Sequence, residues 1–328
     1  MGSINTALIL GATGGIGGEV ARQLRDAGWN VRAMQRAAAS PVEQRDGMTW
    51  IRGDAMIAAD VRAAAEGCSV IVHAVNPPGY RRWSELVLPM LDNTIAAACA
   101  VGATIVLPGT VYNFGPDASS RLAEDSPQHP VTRKGAIRVE MERRLYQASN
   151  AGAGKTGIRV LIVRAGDFFG GTARNSWFSQ GLVKPGKPVE AVSIPNSAGV
   201  GHSWSYLPDV ARTMVELLAR RESLEPFATF HMAGHWDADG TQMAAAIQGV
   251  VMRRTGRKPR IAAFPWWLVA LASPFVTTFR ELLEMRYIWR EPVYMDNTRL
   301  IAELGREPHT PLDQAVAATL RGLECLSL

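Results

Sequence analysis

Residues 7–17 read Ala7-Leu-Ile-Leu-Gly-Ala-Thr-Gly-Gly-Ile-Gly17, a short apolar run followed directly by glycines at positions 11, 14 and 17. The apolar run predicts a buried strand, and the residues from Glu19 to Ala27 predict a helix. Glycine tolerates positive φ in such a turn and lets the backbone approach a ligand, because it has no Cβ. The N-terminus of the helix then offers free N–H groups to an anion. This order predicts the start of a dinucleotide-binding βαβ unit, with the diphosphate on the turn.

Strand-like and helix-like segments alternate through the first two thirds of the chain. Short apolar strands are predicted at Ala7–Leu10, Asn30–Met34, Thr49–Arg52, Val70–His73, Thr104–Leu107 and Arg159–Arg164. Helices between them are predicted at Gly15–Ala27, Ala58–Glu66, Trp83–Ala100 and Gly135–Ser149. Such alternation is typical of a parallel sheet covered on both faces. With right-handed crossovers it predicts an α/β, Rossmann-type doubly wound sheet, which binds its nucleotide at the carboxyl ends of the strands.

The regular alternation ends after Arg164. Residues 166–200 are rich in Gly, Pro, Ser and Asn, with a short helix predicted around Ser176–Leu182, and a helical tail is predicted from about residue 234 to Leu328. We therefore expect an NAD(P)-binding Rossmann domain of residues 1–165, to which residues 203–233 return. Residues 166–202 and 234–328 are expected to form a smaller, discontinuous C-terminal substrate-binding lobe.

The end of the second predicted strand bears on the choice of nucleotide. In Rossmann units an acidic residue there binds the ribose hydroxyls of NAD and repels a 2′-phosphate. Here the strand ends in Met34-Gln-Arg36, without a carboxylate and with a guanidinium able to clamp a phosphate. The sequence favours NADP over NAD, with a plain surface arginine as the alternative. Asp54, after the third strand, can accept a hydrogen bond from the adenine amino group or can serve only as a turn or helix cap.

Charge and composition indicate whether the protein is expected to bind nucleic acid or a membrane. The net charge is +5, and the basic run from Arg253 to Arg260 has no interleaved aromatic residues, so we expect a solvated helix end and no nucleic-acid binding. The apolar stretch from Phe264 to Phe279 is too short to span a bilayer. We expect a lid or core helix over a pocket there and no stable membrane insertion, with interfacial membrane contact as the alternative.

The spacing of the cysteines and histidines predicts neither a metal site nor a disulfide framework. The three cysteines lack the spacing of metal-binding or redox motifs, and the apolar stretch at the start is too short for a signal peptide. Together these two features indicate a cytoplasmic location. His231 and His235 are four residues apart, but a strand end and turn separate them, so no metal site is predicted.

Several motifs, taken in order, resemble the extended short-chain dehydrogenase/reductase superfamily, the group that contains NAD-dependent nucleotide-sugar epimerases, dehydratases and dihydroflavonol-type reductases. Besides the glycine turn they are Gly53-Asp54, Val72–Asn76, Val106–Gly115, Arg164–Gly170 and Tyr206–Asp209. The resemblance implies a two-lobed fold, a small-molecule substrate and a homodimer. It implies cofactor contacts from Gly11, Thr13, Gly14, Gly15, Ile16, Gly17, Ala74, Val75 and Lys134.

The resemblance also implies a catalytic Ser or Thr after the fifth strand and a Tyr-x-x-x-Lys pair on the next helix. Thr110 matches the hydroxyl and Lys134 matches the lysine, but Pro130 stands at the tyrosine position. In the family the lysine holds the nicotinamide ribose and favours the deprotonated phenol. Without that phenol, three replacements are open. We rank proton transfer by Lys134 first and Tyr112 second, and we expect His129 to be a loop residue; a Lys134 that only binds ribose is the alternative.

These observations predict an NADP-dependent oxidoreductase that transfers hydride to or from a small, partly hydrophobic carbonyl, imine or enone. Asn175 and Trp177 are expected to line the substrate cleft, and Arg164 and Asp167, which flank a glycine, are expected to pair. A nucleotide-sugar epimerase or dehydratase is an alternative, although those reactions rely on the missing phenol. A non-catalytic NADP-sensing regulator is another, since it would tolerate an empty catalytic position.

Overall fold

The computed structural model describes residues 5–77, 82–118, 120–150, 157–172 and 176–326, without the side chains of 277, 278 and 281. Its backbone contacts divide these residues into two compact units. The first unit draws on Met1–Gly109, Arg133–Arg164 and Val210–Phe230; the second draws on Thr110–Thr132, Ala165–Asp209 and His231–Leu328. The loop 110–132, which the sequence assigned to the nucleotide-binding domain, thus groups with the second unit.

As far as β8 most strands are separated by helices, although β2, β3 and β4 follow one another directly and only a 3-10 helix lies between β6 and β7. The strands are β1 Thr6–Leu10, β2 Asn30–Gln35, β3 Val42–Arg45, β4 Met48–Arg52, β5 Val70–His73, β6 Thr104–Thr110, β7 Arg121–Leu122, β8 Val160–Ala165, β9 Asp167–Phe169, β10 Ala191–Ile194, β11 His202–Tyr206, β12 Phe227–His231, β13 His235–Asp237, β14 Arg260–Ala263 and β15 Tyr294–Met295. The α-helices are α1 Gly15–Asp26, α2 Ala58–Ala65, α3 Trp83–Val101, α4 Arg133–Ser149, α5 Leu207–Ala219, α6 Gln242–Thr255, α7 Trp266–Ala272, α8 Thr277–Glu284, α9 Thr298–Leu304 and α10 Leu312–Gly322.

A mostly parallel sheet of eight strands forms the centre of the first unit, in the order β12-β8-β6-β5-β1-β2-β4-β3. β1 pairs in parallel with β5 on one side and β2 on the other, so the strand order reverses beside the glycine turn. All the strands predicted from apolar runs are present. The edge strand β3, which pairs antiparallel with β4, was missed because its Val-Glu-Gln-Arg sequence is mostly exposed and carries no apolar run.

The core of the first unit explains why these segments are strands and helices. Residues Ala7–Leu10 of β1 are fully buried, as expected for a central strand of a doubly covered sheet. Helices α3 and α4 pack into the same core through Val87, Leu91, Met141 and Leu145. By length and composition α3 is the one described helix that qualifies as a candidate membrane span.

The second unit is built on small sheets and an aromatic core. Its sheets have the orders β13-β11-β9, β10-β14 and β15-β7. The large buried side chains include Phe169, Phe178, Trp204 and Trp289. The helix predicted around Ser176–Leu182 is present as a π-helical turn at Phe178–Leu182. The predicted helical tail is present as α6 to α10, but β13, β14 and β15 interrupt it. Each of these strands is too short to show a periodicity and pairs with a strand distant in sequence.

Candidate functional site

The glycine turn joins β1 to α1 with no room for a side chain at Gly11 or Gly17. Gly11 has φ +92°, a conformation that L-residues rarely adopt, and a Cβ there would overlap the carbonyl oxygen of Ala74. A Cβ on Gly17 would overlap the carbonyl oxygen of Gly11. The turn therefore lies directly against the backbone that follows β5, where the Ala74 N–H also donates to the Leu10 carbonyl at 2.9 Å.

The start of α1 is open to an anion. Its N-cap residue Gly14 has an extended backbone and makes no side-chain cap, and the first turn contains no acidic residue. Thr13 and Gly14 are exposed, and Gly15 and Ile16 are half-buried. The first N–H groups of a helix have no helical acceptor, so they and the helix dipole favour a negative charge here. A turn that needs glycine at positions 11 and 17, followed by uncapped amides, fits the diphosphate of a dinucleotide.

Arg36 directly follows β2 and is exposed. Within the part of the chain that the structure describes, no residue hydrogen-bonds its side chain. No carboxylate ends the strand, so the ribose-binding acid of NAD-specific Rossmann units has no counterpart at this position.

Asp54 forms the turn that leads into α2. Its Oδ1 accepts the N–H of Met56 at 3.0 Å, and its own N–H donates to Oδ2 of Asp60 at 2.9 Å. The carboxylate is half-buried and already engaged on one oxygen. This geometry gives Asp54 a structural role in the turn, which is the alternative that the sequence left open.

His73 ends β5 just before Ala74 and Val75, which are half-buried. Its Nδ1 lies 2.8 Å from the Thr94 hydroxyl, and that hydroxyl donates to the Met90 carbonyl at 3.0 Å, so His73 Nδ1–H is the donor. Burial, and secondly the positive charge of Arg138, lower the pKa of His73 to about 3. A neutral, hydrogen-bonded histidine therefore packs beneath this end of the sheet.

Lys134 is the second residue of α4 and is only 4% exposed. Buried lysines are uncommon because desolvation of the ammonium is costly. A cation in the first turn of a helix is also disfavoured by the helix dipole, and α4 has no acidic residue there. Both observations set Lys134 apart from an ordinary surface lysine.

The expected pairing of Arg164 with Asp167 is wrong. Arg164 is buried and binds Glu142 of α4 through two hydrogen bonds, Nε to Oε1 at 3.0 Å and Nη2 to Oε2 at 2.6 Å. Asp167 lies in the second unit, where its carboxylate binds Tyr112 and His202.

In the second unit Thr110 and Tyr112 lie together. Thr110 Oγ1 accepts the N–H of Tyr112 at 3.1 Å and caps the 3-10 helix Val111–Asn113. The Tyr112 hydroxyl donates to Oδ1 of Asp167 at 2.6 Å, while His202 Nε2 lies 2.9 Å from Oδ2 of Asp167. The His202 ring stacks on Trp289, with centroids 3.7 Å apart. Tyr112 is thus held by a buried Asp–His pair, which the sequence analysis missed because β9 and β11 bring it together across 35 residues.

Three predicted residues remain, namely His129, Trp177 and Asn175. His129 is exposed in a loop, and its Nδ1 lies 2.9 Å from Asp117 Oδ2. Trp177 packs in the aromatic core of the second unit, with its ring centroid 4.9 Å from that of Trp289 and 5.9 Å from that of Trp266. Asn175 lies outside the described residues.

Comparison with known proteins agrees with this geometry. Residues 11–165 match the model of an NAD(P)H-binding family. A search of curated proteins gave no match. The chain therefore contains an NAD(P)-binding domain, and its Rossmann-like sheet carries the turn described above.

Solved structures with the same fold cover nearly the whole chain. MoeE5 in complex with UDP-glucose and NAD aligns with a TM-score of 0.72 and 18% identity, over 97% of this chain and 98% of that one. UDP-glucuronic acid 4-epimerase from Bacillus cereus, in complex with UDP-glucuronic acid and NAD, aligns with a TM-score of 0.70 and 15% identity, over 97% and 98%. The NAD-dependent NDP-hexosamine 5,6-dehydratase TunA aligns with a TM-score of 0.69 and 16% identity, over 99% of both chains. At these identities the likeness extends to the fold alone.

Proposed function

We propose that this protein is an NADP-dependent oxidoreductase that transfers hydride to or from a small, partly hydrophobic carbonyl, imine or enone. One observation carries the proposal. A Cβ at Gly11 or Gly17 would overlap backbone atoms, and α1 begins at Gly15, after the N-cap residue Gly14, without a capping side chain or an acidic residue in its first turn. This arrangement accommodates a diphosphate on backbone amides alone.

The preference for NADP rests on Arg36. Its guanidinium is exposed at the end of β2, where an NAD-specific site would carry a carboxylate. A guanidinium binds a 2′-phosphate through two charge-assisted hydrogen bonds and cannot make the acceptor contacts that ribose hydroxyls require.

A bound nicotinamide supplies the hydride donor or acceptor, and the chain supplies positioning and a proton. Thr110 Oγ1 already accepts an N–H from Tyr112, so its own hydroxyl hydrogen is available to a substrate oxygen. Lys134 holds the nicotinamide ribose and moves a proton to the substrate, directly or through a water. The unusual burial of Lys134 at a helix N-terminus supports this role.

Tyr112 ranks below Lys134 as the proton donor. Its hydroxyl hydrogen is directed to Asp167 across 2.6 Å. Loss of that proton to a substrate would leave a phenolate facing a carboxylate, and two like charges at this separation repel. Tyr112 therefore fits a role in orienting the loop that carries Thr110.

Two other functions have support of their own. A nucleotide-sugar epimerase or dehydratase is supported by the alignment of nearly the whole chain with such folds, and those proteins were solved with NAD. A non-catalytic NADP-sensing regulator is supported by Pro130 in place of a phenol.

We further propose that the protein is located in the cytoplasm and forms a homodimer.

The deciding experiment measures binding and turnover separately. Calorimetry with NADPH, NADP, NADH and NAD tests the cofactor, and absorbance of the reduced nicotinamide reports turnover on a panel of aldehydes, ketones, imines and enones. Chromatography of the products reports conversion of UDP-sugars, because an epimerase or dehydratase returns the hydride to its substrate and leaves the amount of reduced nicotinamide unchanged. We expect NADPH consumption on a member of the carbonyl, imine or enone group. Tight binding without turnover on any compound would favour the sensor, and conversion of a UDP-sugar would favour the epimerase.

Lys134 variants complete the test. Lys134→Ala is expected to abolish turnover, while Lys134→Arg keeps the cation and should retain cofactor binding. Turnover of Lys134→Ala at the parent rate would refute the role of Lys134. Loss of binding together with turnover would show a ribose-holding lysine and give no support to proton transfer.

A further inference from the structure

A long uncharged segment lies in the second unit. From Ile261 to Phe279 no residue is acidic or basic, and α7 lies in the middle of this run. One side of α7 faces the core of the unit. There Val269 is 4% exposed, and Trp266 donates its indole N–H to the Pro195 carbonyl at 2.8 Å.

The opposite side of α7 is apolar as well and faces solvent. Trp267 is 71% exposed, Leu271 is 69% exposed and Phe275, just after the helix, is 88% exposed. Their spacing of four residues places Trp267 and Leu271 on one helical face. We call Trp267, Leu268, Leu271, Phe275 and Val276 the α7 face. A helix that is apolar all round is ordinarily enclosed by protein or lipid, so the expectation of a core helix is wrong on this side.

Basic residues flank the uncharged run on both sides. Exposed cations precede it at Arg254, Arg257, Lys258 and Arg260, beside Arg253, which forms an ion pair with Asp313 at 2.6 Å. Arg280 and Arg290, both exposed, and the half-buried Arg286 follow it. Between 253 and 290 the acidic residues are Glu281 and Glu284 alone. The Arg286 guanidinium lies 5.0 Å from the centroid of the Trp266 ring, which places a cation beside the start of α7. Burial, and secondly the charge of Arg290, lower the pKa of Arg286, so two cations are close together there.

We propose that the α7 face binds an anionic lipid surface, with the apolar side chains at the acyl boundary and the flanking cations at the headgroups. Trp and other large apolar side chains beside basic residues suit this interface. Negative headgroups attract nearby Lys and Arg, and the attraction weakens with salt. A second copy of the chain is a poorer occupant, because a symmetric contact brings the same basic residues toward each other. This inference does not depend on the proposed enzymatic activity.

Vesicle co-sedimentation of the full chain tests the proposal. The probes are phosphatidylcholine vesicles with and without phosphatidylglycerol, at low and high salt. We expect binding to the anionic vesicles at low salt, weaker binding at high salt and little binding to phosphatidylcholine alone. The variant Trp267→Ser/Leu271→Ser/Phe275→Ser should bind roughly tenfold more weakly or worse. Arg257→Glu/Lys258→Glu/Arg260→Glu should remove the preference for anionic vesicles.

A matched control separates the α7 face from exposed apolar residues in general. Val42, Ile57 and Val131 are 59%, 51% and 61% exposed elsewhere on the chain, and their triple change to serine should leave sedimentation unchanged. Circular dichroism checks that each variant is folded. The proposal is overturned if the parent does not bind anionic vesicles or if the α7-face variant sediments with them as the parent does. It is also overturned if light scattering shows a parent dimer that this variant breaks, without any vesicle binding.

Discussion

The phenolic oxygen of Tyr112 lies 2.6 Å from Oδ1 of Asp167, whose second oxygen lies 2.9 Å from the buried ring of His202. This contact fixes the direction of the Tyr112 hydroxyl hydrogen. It also joins the loop after β6 to β9 and β11 through one carboxylate. Tyr112, which the sequence suggested as a replacement proton donor, is therefore part of a buried hydrogen-bonded network.

Tyr112→Phe removes the hydrogen bond from the phenol to Asp167. We expect it to lower the free energy of unfolding by about 1–3 kcal/mol, because the carboxylate loses a donor. Turnover should fall less than about tenfold, a modest loss compared with removal of a general acid. Urea unfolding and steady-state rates measure the two effects. A rate loss of a hundredfold or more in a folded variant would make Tyr112 the proton donor instead of Lys134.

Gly11→Ala and Gly28→Ala form a matched pair. Both glycines have positive φ, +92° and +82°, but a Cβ would overlap the Ala74 carbonyl at Gly11 and would meet no atom within 4 Å at Gly28. Each change costs about 1–2 kcal/mol for the left-handed backbone. Gly11→Ala should cost about 1–3 kcal/mol more through overpacking and should lose cofactor affinity. Equal effects of the two changes on stability and binding would contradict the close approach of the turn to Ala74.

Arg36→Asp tests the 2′-phosphate directly. We expect the NADPH dissociation constant to rise roughly tenfold to a hundredfold, from the loss of charge-assisted hydrogen bonds, while NADH binding changes much less. Arg62→Asp, an exposed arginine of α2, makes the same change in net charge and should leave both constants nearly unchanged. Calorimetry measures all four constants. Equal weakening of NADPH and NADH binding by Arg36→Asp would rule out the phosphate contact.

Arg164→Met leaves the buried carboxylate of Glu142 without its partner guanidinium. Breaking a buried pair in this way costs about 3–5 kcal/mol. The double variant Arg164→Met/Glu142→Leu removes both charges and should recover much of that loss. Arg143→Met, in an exposed pair with Glu140, should have a far smaller effect. A double variant no more stable than Arg164→Met would show that the pair itself is not the source of the loss.

Acid should destabilise the fold through His73. Its pKa is about 3 in the folded chain, below the ordinary value near 6.5. As the pH falls from about 6.5 toward 3, the unfolded chain gains a proton that the folded chain does not, so the free energy of unfolding falls. His73→Asn, which can still donate to Thr94, should flatten this part of the pH profile. An unchanged slope, measured by urea unfolding between those pH values, would show that His73 does not contribute.

The sequence by itself determined the Rossmann-type sheet and the glycine turn, because both depend on residues that are close together in the sequence. Apolar runs such as Ala7–Leu10 specify buried strands wherever their partners lie, and the requirement for glycine at position 11 follows from one backbone conformation. The same local periodicity predicted the strand that ends just before Arg36 and the helix that begins beside Lys134.

Tertiary structure alone decided which side chains meet. Arg164 pairs with Glu142 rather than Asp167, and Asp167 pairs with His202, because sheet register and helix packing join residues distant in sequence. The short strands β13, β14 and β15 exist only through such partners. The solvent-facing side of α7 follows the same principle. Its composition is that of a core helix, and whether an apolar face is covered depends on what the rest of the chain places against it.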